Sequence, residues 1–291
     1  MPSDLEVIAN ELKRLQRDGI DRIFIEDQTM KLLSSAKEML DIESSLTIKG
    51  SEEKKVSTTI EEDTAEKKKV KISKAPKIQL IKGDARTQMA WLGEKINTND
   101  VCRSQIEEPG KVVLGAGSMT ADILFCGEAP GIDEALSGEP FTGKAGDLLS
   151  KIITAMGLSR DSTYLTYIIK WRPSHDKPYG ERPPTVEEIA FCMPYLKAQI
   201  EIIQPKVIVA LGNAAARALI GDDLEQNFSD VRGTWSSYQD IPVMITFQPS
   251  YLQRNNTLKT KRLAWEDMLQ VMERCGLRIS EKQRAFFLSK V

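Results

Sequence analysis

The sequence is poor in the residues that bind transition metals or form disulfides. It has one histidine and four cysteines among 291 residues, and the cysteines are scattered without a CxxC pair. This spacing argues against a zinc ribbon and against a disulfide framework. We therefore expect free thiols that are buried or idle in a reducing compartment. The cysteines are Cys102, Cys126, Cys192 and Cys275.

Long apolar runs and a charge of one sign are also missing. No stretch approaches the roughly 18 consecutive apolar residues of a membrane helix, and the N-terminus carries acidic residues, unlike a signal or transit peptide. We expect a soluble, cytoplasmic protein without a membrane partner. The formal net charge is −2, so any nucleic-acid site must be a local basic patch rather than a field of the whole protein.

Aromatic residues are absent from residues 43–77, where an acidic block precedes a run of lysines. Such a segment buries too little apolar surface to offset the entropy cost of ordering, so we predict a charged flexible linker. Residues 1–42 show helix, strand and helix patterns. We expect them to form a small α/β module that docks on the main domain or binds a protein partner. Residues 78–278 form the main domain and 279–291 a C-terminal tail.

From residue 78 onward, strand patterns alternate with helical patterns. This alternation predicts an α/β fold with a parallel sheet that is covered on both faces, and in such sheets ligands bind at the carboxyl ends of the strands. Thr185 and Glu188 predict a capping box at a helix start. The predicted strands are 121–127, 162–171, 206–211 and 242–247, and the predicted helices are 146–156, 185–203, 213–220 and 259–275.

A glycine-rich loop, GEAPGIDEALSGEPFTGKAG at residues 127–146, follows the first predicted strand. Its glycines allow the backbone to approach a ligand closely. Glu128 stands where the strand stops, and Phe141 offers a flat stacking face. The alternative is a tight crossover loop with a core phenylalanine. Because the loop is not GxGxxG and lacks the lysine of a P-loop, nucleotide-cofactor binding is disfavoured.

Two other strand ends carry aromatic and polar side chains. By period two, Tyr167 and Trp171 share one side of the second strand, while Lys170 and Arg172 point the other way and suit a phosphate. The alternative is ordinary packing of two aromatic rings. The fourth strand ends in QPSYLQR, residues 248–254, which suits a grip on a DNA backbone. The alternative there is a polar surface loop.

Together these segments resemble the iron–sulfur, or type-four, uracil-DNA glycosylases. GEAPG at 127–131, with the GEPF and GKAG that follow, is similar to the first motif of that family, and QPSYLQR is similar to the second, normally HPSYLLR. PKVIVALG (205–212) and RGTW (232–235) resemble its middle elements. The resemblance covers about residues 80–275 and implies a three-layer α/β/α sandwich around a four-stranded parallel sheet.

The resemblance also implies that a damaged base leaves the DNA stack and enters a pocket, where its N-glycosidic bond is hydrolysed. By position, the resemblance implies that Glu128 lies against the base and sugar, that Phe141 stacks on the base, and that Leu252 and Arg254 fill or brace the vacated stack. The implied catalytic residues are Glu128, Glu134 and Gln248, and the base-binding residues are Gly127, Ala129, Pro130, Gly131, Phe141 and Tyr167. The implied DNA-binding residues are Lys144, Lys170, Ser250, Tyr251, Leu252 and Arg254.

Two departures from the family pattern fall in the pocket. Gln248 replaces a histidine; it keeps a hydrogen-bond donor but cannot become cationic, so we expect weaker catalysis rather than none. The sole histidine, His175, is expected at the surface and not as a replacement. Tyr167 replaces an asparagine, and a phenol cannot make the paired contact that reads uracil. Either the pocket admits another base, or Tyr167 fills it.

The third departure concerns the 4Fe–4S cluster that the resemblance implies. Cys192 fits one ligand position and Cys102 at best another, while Trp171 or Arg172 stands where a third belongs. Two remnants cannot retain a cluster that needs about four thiolates. We therefore predict no metal site and no cofactor, with Trp171 packed in the place of the cluster.

More than one function remains open from the sequence. The first is a monofunctional DNA glycosylase of base excision repair, acting as a monomer on uracil or another deaminated base. The second is a catalytically weak or inactive DNA-binding relative with a pocket altered by Tyr167 and Gln248; a glycosidase or sensor for free nucleosides is a third. We favour the first, because Glu128, Phe141 and the 248–254 segment otherwise have little reason to occur together.

Overall fold

The computed structural model of the chain describes residue 72 and residues 74–107, 109–174, 182–221 and 228–288. These residues belong to one compact unit, Ala65–Val291. The predicted N-terminal module at 1–42, most of the predicted linker at 43–77 and His175 lie outside the described residues. Those predictions therefore stay predictions.

A six-stranded sheet forms the centre of the described structure. The strands are β1 (Ala116–Gly117), β2 (Ile123–Gly127), β3 (Tyr164–Tyr167), β4 (Val207–Leu211), β5 (Trp235–Tyr238) and β6 (Ile241–Thr246). Their order is β1-β3-β2-β4-β6-β5, and the four inner strands are parallel. The predicted α/β class is confirmed, and the sheet has six strands because two antiparallel edge strands join the four parallel ones. The two edge strands pair antiparallel, and β1 is too short and β5 too exposed to show a buried pattern.

Helices cover both faces of this sheet. The helices are α1 (Ala85–Thr98), α2 (Asp100–Gln105), α3 (Ile132–Ser137), α4 (Gly143–Ala155), α5 (Val186–Ile203), α6 (Asn213–Ile220), α7 (Phe228–Val231), α8 (Pro249–Arg254), α9 (Leu258–Arg274) and α10 (Glu281–Arg284), with a 3-10 turn at Arg160–Ser162. Leu124 and Cys126 of β2 enter a core shared with α1, α5 and α6. Ile123 and Phe125 enter a second core shared with α4 and α9. No helix within the described ranges is long and apolar enough to span a bilayer.

Helix α5 begins at the predicted capping box, which fixes the chain at its entry. The Glu188 N–H donates to Thr185 Oγ1 at 3.2 Å, and the Thr185 N–H donates to the Glu188 carboxylate at 2.8 Å. Arg182 donates to both oxygens of the same carboxylate, at 2.7 and 2.8 Å. These mutual hydrogen bonds satisfy N–H groups that a helix start otherwise leaves unpaired.

Strand β3 ends sooner than the sequence pattern predicts. The prediction covered 162–171, but the ladder ends with Tyr167 opposite Gly127. The Ile168 N–H still donates to the Gly127 carbonyl at 2.8 Å, after which the chain turns. Because period two does not continue through a turn, Tyr167 and Trp171 enter different cores. The prediction that they share one side of the strand was wrong.

The QPSYLQR segment after β6 forms a short helix, not the polar surface loop that the sequence left open. Gln248 is the N-cap of α8, and Pro249 takes the first helical position. Proline is favoured there, because its missing N–H is one that no residue of the helix accepts. Helical spacing, rather than loop geometry, therefore decides which of the following side chains face the core.

The packed domain continues past residue 278, where the sequence predicts a tail. The Trp265 indole N–H donates to the Gln283 carbonyl at 2.6 Å, and Gln283 Nε2 donates to the Ala155 carbonyl at 2.8 Å. Phe286 packs against the second core, 5.3 Å from Trp265 between ring centroids. Residues 279–288 thus bridge α4 and α9.

Candidate active site

A cavity of about 420 Å³ opens at the carboxyl ends of the parallel strands. Its volume lies within the range of about 300–1,000 Å³ that small-ligand pockets occupy. The loop after β2 lines one part of it, and the start of α8 lines another. The predicted site residues that the fold brings together here are Glu128, Ala129, Pro130, Gly131, Glu134, Phe141, Tyr167, Gln248, Ser250 and Arg254.

Glu128 and Glu134 line the same cavity in different surroundings. Glu128 is half-buried directly after β2. Glu134 is buried, and its Oε2 accepts the N–H of Gly131 at 2.9 Å, at the start of α3. Burial raises the pKa of Glu134 above its ordinary value. This contact makes Glu134 a residue that holds the loop, whereas its part in catalysis stays a prediction.

Phe141 is held in an unusual backbone conformation beside the cavity. Its φ of 53° lies in the left-handed region, which costs a residue with a Cβ about 1–2 kcal/mol. The Phe141 N–H donates to Tyr167 Oη at 2.9 Å, and its carbonyl accepts from Arg160 at 3.1 Å. Gly146 is required nearby, because a Cβ there would collide with the Phe141 carbonyl. Sequence reasoning missed Arg160, which only the fold brings to this loop.

Tyr167 packs against one face of Phe141. The two ring centroids lie 4.4 Å apart with an interplanar angle of 30°. Gly127 makes room for this stack, since a Cβ there would lie 2.8 Å from Tyr167 and 2.9 Å from Phe141. Tyr167 is only 4% exposed, yet both rings still line the cavity. The phenol therefore fills part of the pocket and leaves a cavity beside it.

Gln248 is placed at the cavity by the junction of two strands. The Gly212 N–H after β4 donates to the Thr246 carbonyl of β6 at 2.8 Å. Gly212 has a φ of 94°, and a Cβ there would lie 3.1 Å from Gln248 Cβ. The Gln248 side chain makes no capping hydrogen bond to α8. Gln248 lines the cavity, where the N–H donor of its amide can meet an oxygen of a ligand.

Lys170 does not face DNA, and its predicted DNA-binding role was wrong. The side chain is 0% exposed. Its Nζ donates to Gln199 Oε1 at 2.6 Å, to Thr166 Oγ1 at 2.8 Å and to the Tyr167 carbonyl at 2.6 Å. Burial lowers the pKa of Lys170 to about 8. The turn after β3 directs this side chain into the core under α5, which strand periodicity does not reveal.

Leu252 also differs from its prediction. It is 6% exposed and packs with Phe125, Leu149 and Met268 around a small internal gap. A side chain buried in this core cannot enter a base stack, so the predicted wedge role of Leu252 was wrong. Its neighbour Tyr251 is 40% exposed instead. The other predicted DNA contacts are accessible: Lys144 and Arg254 are exposed, and Ser250 is half-buried.

Guanidinium groups add positive charge to the lining of the cavity. Arg172, which the sequence marked for a phosphate, and Arg182 both line it together with Arg254. Sequence reasoning did not identify Arg182 as a site residue. Arg182 forms an ion pair with Glu188, and the predicted capping box at Glu188 was the available signal for it. Such a local basic group is what a protein of net charge −2 requires for contact with a polyanion.

The residues at the predicted cluster position do not fit a 4Fe–4S cluster. Cys102 and Cys192 are both buried in the first core, where Trp171 packs 6.1 Å from Phe191 between ring centroids. Burial raises the pKa of the Cys102 thiol to about 12. Among the described residues, no group of three or more His, Cys, Asp or Glu side chains is arranged to hold a metal ion. A cubane cluster needs about four thiolates.

Comparison with known proteins agrees with this geometry. The family described as the uracil DNA glycosylase superfamily matches residues 114–269. A type-4 uracil-DNA glycosylase from Thermotoga maritima is 37% identical over 183 residues, which are 62% of this chain and 91% of the relative. A type-4 uracil-DNA glycosylase from Archaeoglobus fulgidus is 46% identical over 172 residues, 56% of this chain and 82% of the relative.

A more distant relative is the type-5 uracil-DNA glycosylase of Pyrobaculum aerophilum, 28% identical over 182 residues, 57% of this chain and 76% of the relative. The family match spans all six strands of the sheet and every residue that lines the cavity. The chain therefore belongs to the uracil DNA glycosylase superfamily, and within it to the type-4 family.

Proposed function

We propose that this protein is a DNA repair enzyme that hydrolyses the N-glycosidic bond of uracil or another deaminated base. The observation that carries the proposal is that Glu128, Phe141 and Gln248 line one cavity at the carboxyl ends of the strands. Relatives named type-4 uracil-DNA glycosylase support it. The base must leave the DNA stack to reach such a cavity.

The chemistry assigns separate roles to the two ends of the breaking bond. As the bond between C1′ of the deoxyribose and the base nitrogen lengthens, positive charge grows on the sugar and negative charge on the base. The Glu128 carboxylate offsets the charge on the sugar and orients the water whose oxygen bonds to C1′. Gln248 donates an N–H to the base oxygen, and a donor of this kind lowers a barrier by about 3–4 kcal/mol. The departing base takes up the proton from water.

The DNA backbone passes the mouth of the cavity in this proposal. Ser250 and Arg254 line the cavity, and Lys144 is exposed in the first turn of α4. We assign these three side chains to phosphates on either side of the extruded nucleotide. The reaction needs no cofactor and no iron–sulfur cluster, and one chain is sufficient for it. Docking of residues 1–42 on the main domain or on a protein partner stays a prediction from the sequence.

A second candidate function is DNA binding without catalysis. It is favoured by the stack of Tyr167 on Phe141 at 4.4 Å, which covers ring surface that the proposed base needs. The phenol also lacks the paired donor and acceptor that distinguish uracil from cytosine. If this second function is correct, the wild type excises no uracil, and the double variant Tyr167→Asn with Gln248→His gains uracil excision.

The deciding experiment measures abasic sites. Single- and double-stranded oligonucleotides carrying uracil, hypoxanthine or xanthine are incubated with the full chain and then treated with alkali, which cleaves the strand at abasic positions. We expect cleavage on at least one substrate and a loss on the order of 100-fold or more in Glu128→Ala. Glu139→Ala is the matched control, because it removes an exposed carboxylate from the same glycine-rich loop outside the cavity lining.

The two functions give different results. Cleavage that Glu128→Ala abolishes and Glu139→Ala preserves supports the glycosylase. Silence on every substrate, with DNA binding retained, supports the second function. Cleavage that is unchanged in Glu128→Ala refutes the assignment of Glu128.

A further inference from the structure

A group of aromatic rings lies behind the exposed surface of α8. Phe247 and Tyr251 stack with their centroids 5.1 Å apart and an interplanar angle of 10°. Phe228 meets Phe247 edge-on at 6.2 Å. Near-parallel rings at this separation have the geometry that aromatic pairs prefer. The phenol of Tyr251 is therefore supported on the half-buried ring of Phe247 and is not an isolated surface side chain.

An ion pair between Arg232 and the buried Asp267 supports the Phe247 ring of this stack. The Arg232 guanidinium lies over the Phe247 ring, 5.2 Å from its centroid. Arg232 is held by Asp267 at 2.6 Å, and the Asp267 carboxylate also accepts from Thr246 Oγ1 at 2.6 Å. Asp267 is 1% exposed. Arg232 holds the Phe247 ring and is itself hydrogen-bonded to Asp267. The Phe247 ring therefore loses little freedom when a ligand binds, and the stack of Phe247 and Tyr251 is preorganised.

The exposed ring lies next to the cavity. Tyr251 follows Ser250 and precedes Arg254 by three positions on α8, and both of these residues line the cavity. Residues three apart on a helix are neighbours on its surface. Tyr251 is 40% exposed, whereas Leu252, the residue expected to enter the base stack, is 6% exposed. Of these two side chains, only the phenol can reach DNA without opening the core.

We propose that Tyr251, supported by Phe247 and Arg232, stacks on the base adjacent to the extruded nucleotide and takes the role expected of Leu252. The inference rests on the proposed function, which brings DNA to this edge of the sheet. A flat ring is suited to an exposed base face, and such stacking tolerates any base because every base has a π-face. The predicted ligand is DNA with an unstacked or missing base.

The experiment measures binding rather than turnover. Fluorescence anisotropy gives the Kd of the full chain for a duplex that carries a tetrahydrofuran abasic analogue, and 2-aminopurine beside the analogue reports stacking. We expect Tyr251→Ala to weaken binding on the order of 10-fold and to abolish the change in 2-aminopurine fluorescence on binding, whereas Tyr251→Phe retains both. Thermal unfolding of Tyr251→Ala should still show one cooperative transition, because the buried core does not include this ring.

Phe287→Ala is the matched control, because Phe287 is also an aromatic residue that is 40% exposed. It should leave both signals unchanged. Equal losses in Tyr251→Ala and Phe287→Ala, or no loss in Tyr251→Ala, overturn the inference. The proposed function is judged separately. If the wild type excises the base and Tyr251→Ala binds DNA as tightly as the wild type, only the role of Tyr251 is refuted. If Tyr251→Ala binds more weakly but the wild type excises no base, only catalysis is refuted.

Discussion

Replacing Tyr167 with phenylalanine removes one hydroxyl group and keeps a ring to stack on Phe141. The Tyr167 hydroxyl accepts the Phe141 N–H at 2.9 Å, and both residues are buried, at 4% and 7% exposed. A buried N–H without an acceptor costs about 1–3 kcal/mol. Phe141 also holds a left-handed φ of 53°, which the remaining bond from Arg160 must then maintain alone. We expect the free energy of unfolding to fall by about 2 kcal/mol.

Base excision should fall with it, because Phe141 is released from its position at the cavity. A displacement that raises the barrier by about 1.4 kcal/mol slows the reaction about 10-fold. Urea unfolding followed by tryptophan fluorescence measures the stability, and the alkali-cleavage assay under single-turnover conditions measures the rate. The slope of the unfolding transition should not change, because the substitution leaves the folded surface as it is.

Tyr164→Phe separates the two effects. Tyr164 is 0% exposed, and its hydroxyl accepts from Gln199 Nε2 at 3.0 Å in the core on the other face of the sheet. It should lose comparable stability and keep the full excision rate. The reasoning is refuted if Tyr167→Phe loses less than about 0.5 kcal/mol. It is refuted equally if the two variants slow excision by the same factor.

Three further predictions concern buried groups. Burial lowers the pKa of Lys170 to about 8, below that of an unfolded lysine. The free energy of unfolding of the wild type should therefore rise as pH rises from 8 to about 10.5. Lys170→Met should lose this pH dependence in unfolding experiments. Burial raises the pKa of Asp267 to about 6 against the opposing effects of Thr246 and Arg232. Asp267 should therefore contribute a fall in stability as pH rises from about 4 to 6, and Asp267→Asn should reduce that fall; an unchanged slope contradicts the assignment. The purified protein should contain no iron by elemental analysis and no visible absorption, and a brown protein with about four irons per chain would contradict the fit at Cys102 and Cys192.

The fold could be predicted where burial alone sets the pattern. The strands β2 and β4 are buried along their whole length and β6 over its last four residues, and Thr185 with Glu188 marks the start of α5 by local chemistry. The edge strands were not predictable, because Ala116–Gly117 has two residues and Trp235–Tyr238 is half-exposed. The early end of β3 depends on its register with β2, which a single strand does not encode.

The candidate site could be predicted as a set of residues but not as a set of orientations. The motifs place Glu128 and Gln248 just after strand ends and Phe141 in the glycine-rich segment that follows β2, and the fold brings all three to one cavity. Lys170 and Leu252 were assigned to DNA from their sequence positions, and both side chains turn into the core. Their directions follow from a turn after β3 and a helix after β6, which arise from tertiary packing rather than from local pattern.

The central claim is that Glu128 lies beside a base whose bond to the sugar is hydrolysed. The most direct measurement quantifies the free base released from a deaminated oligonucleotide by mass spectrometry, together with the abasic sites formed in the same reaction. The account predicts equal amounts of the two products with the wild type and with Glu139→Ala, and both products formed on the order of 100-fold more slowly with Glu128→Ala. Release of base by Glu128→Ala at the wild-type rate, or no release from any deaminated substrate by the wild type, would contradict it.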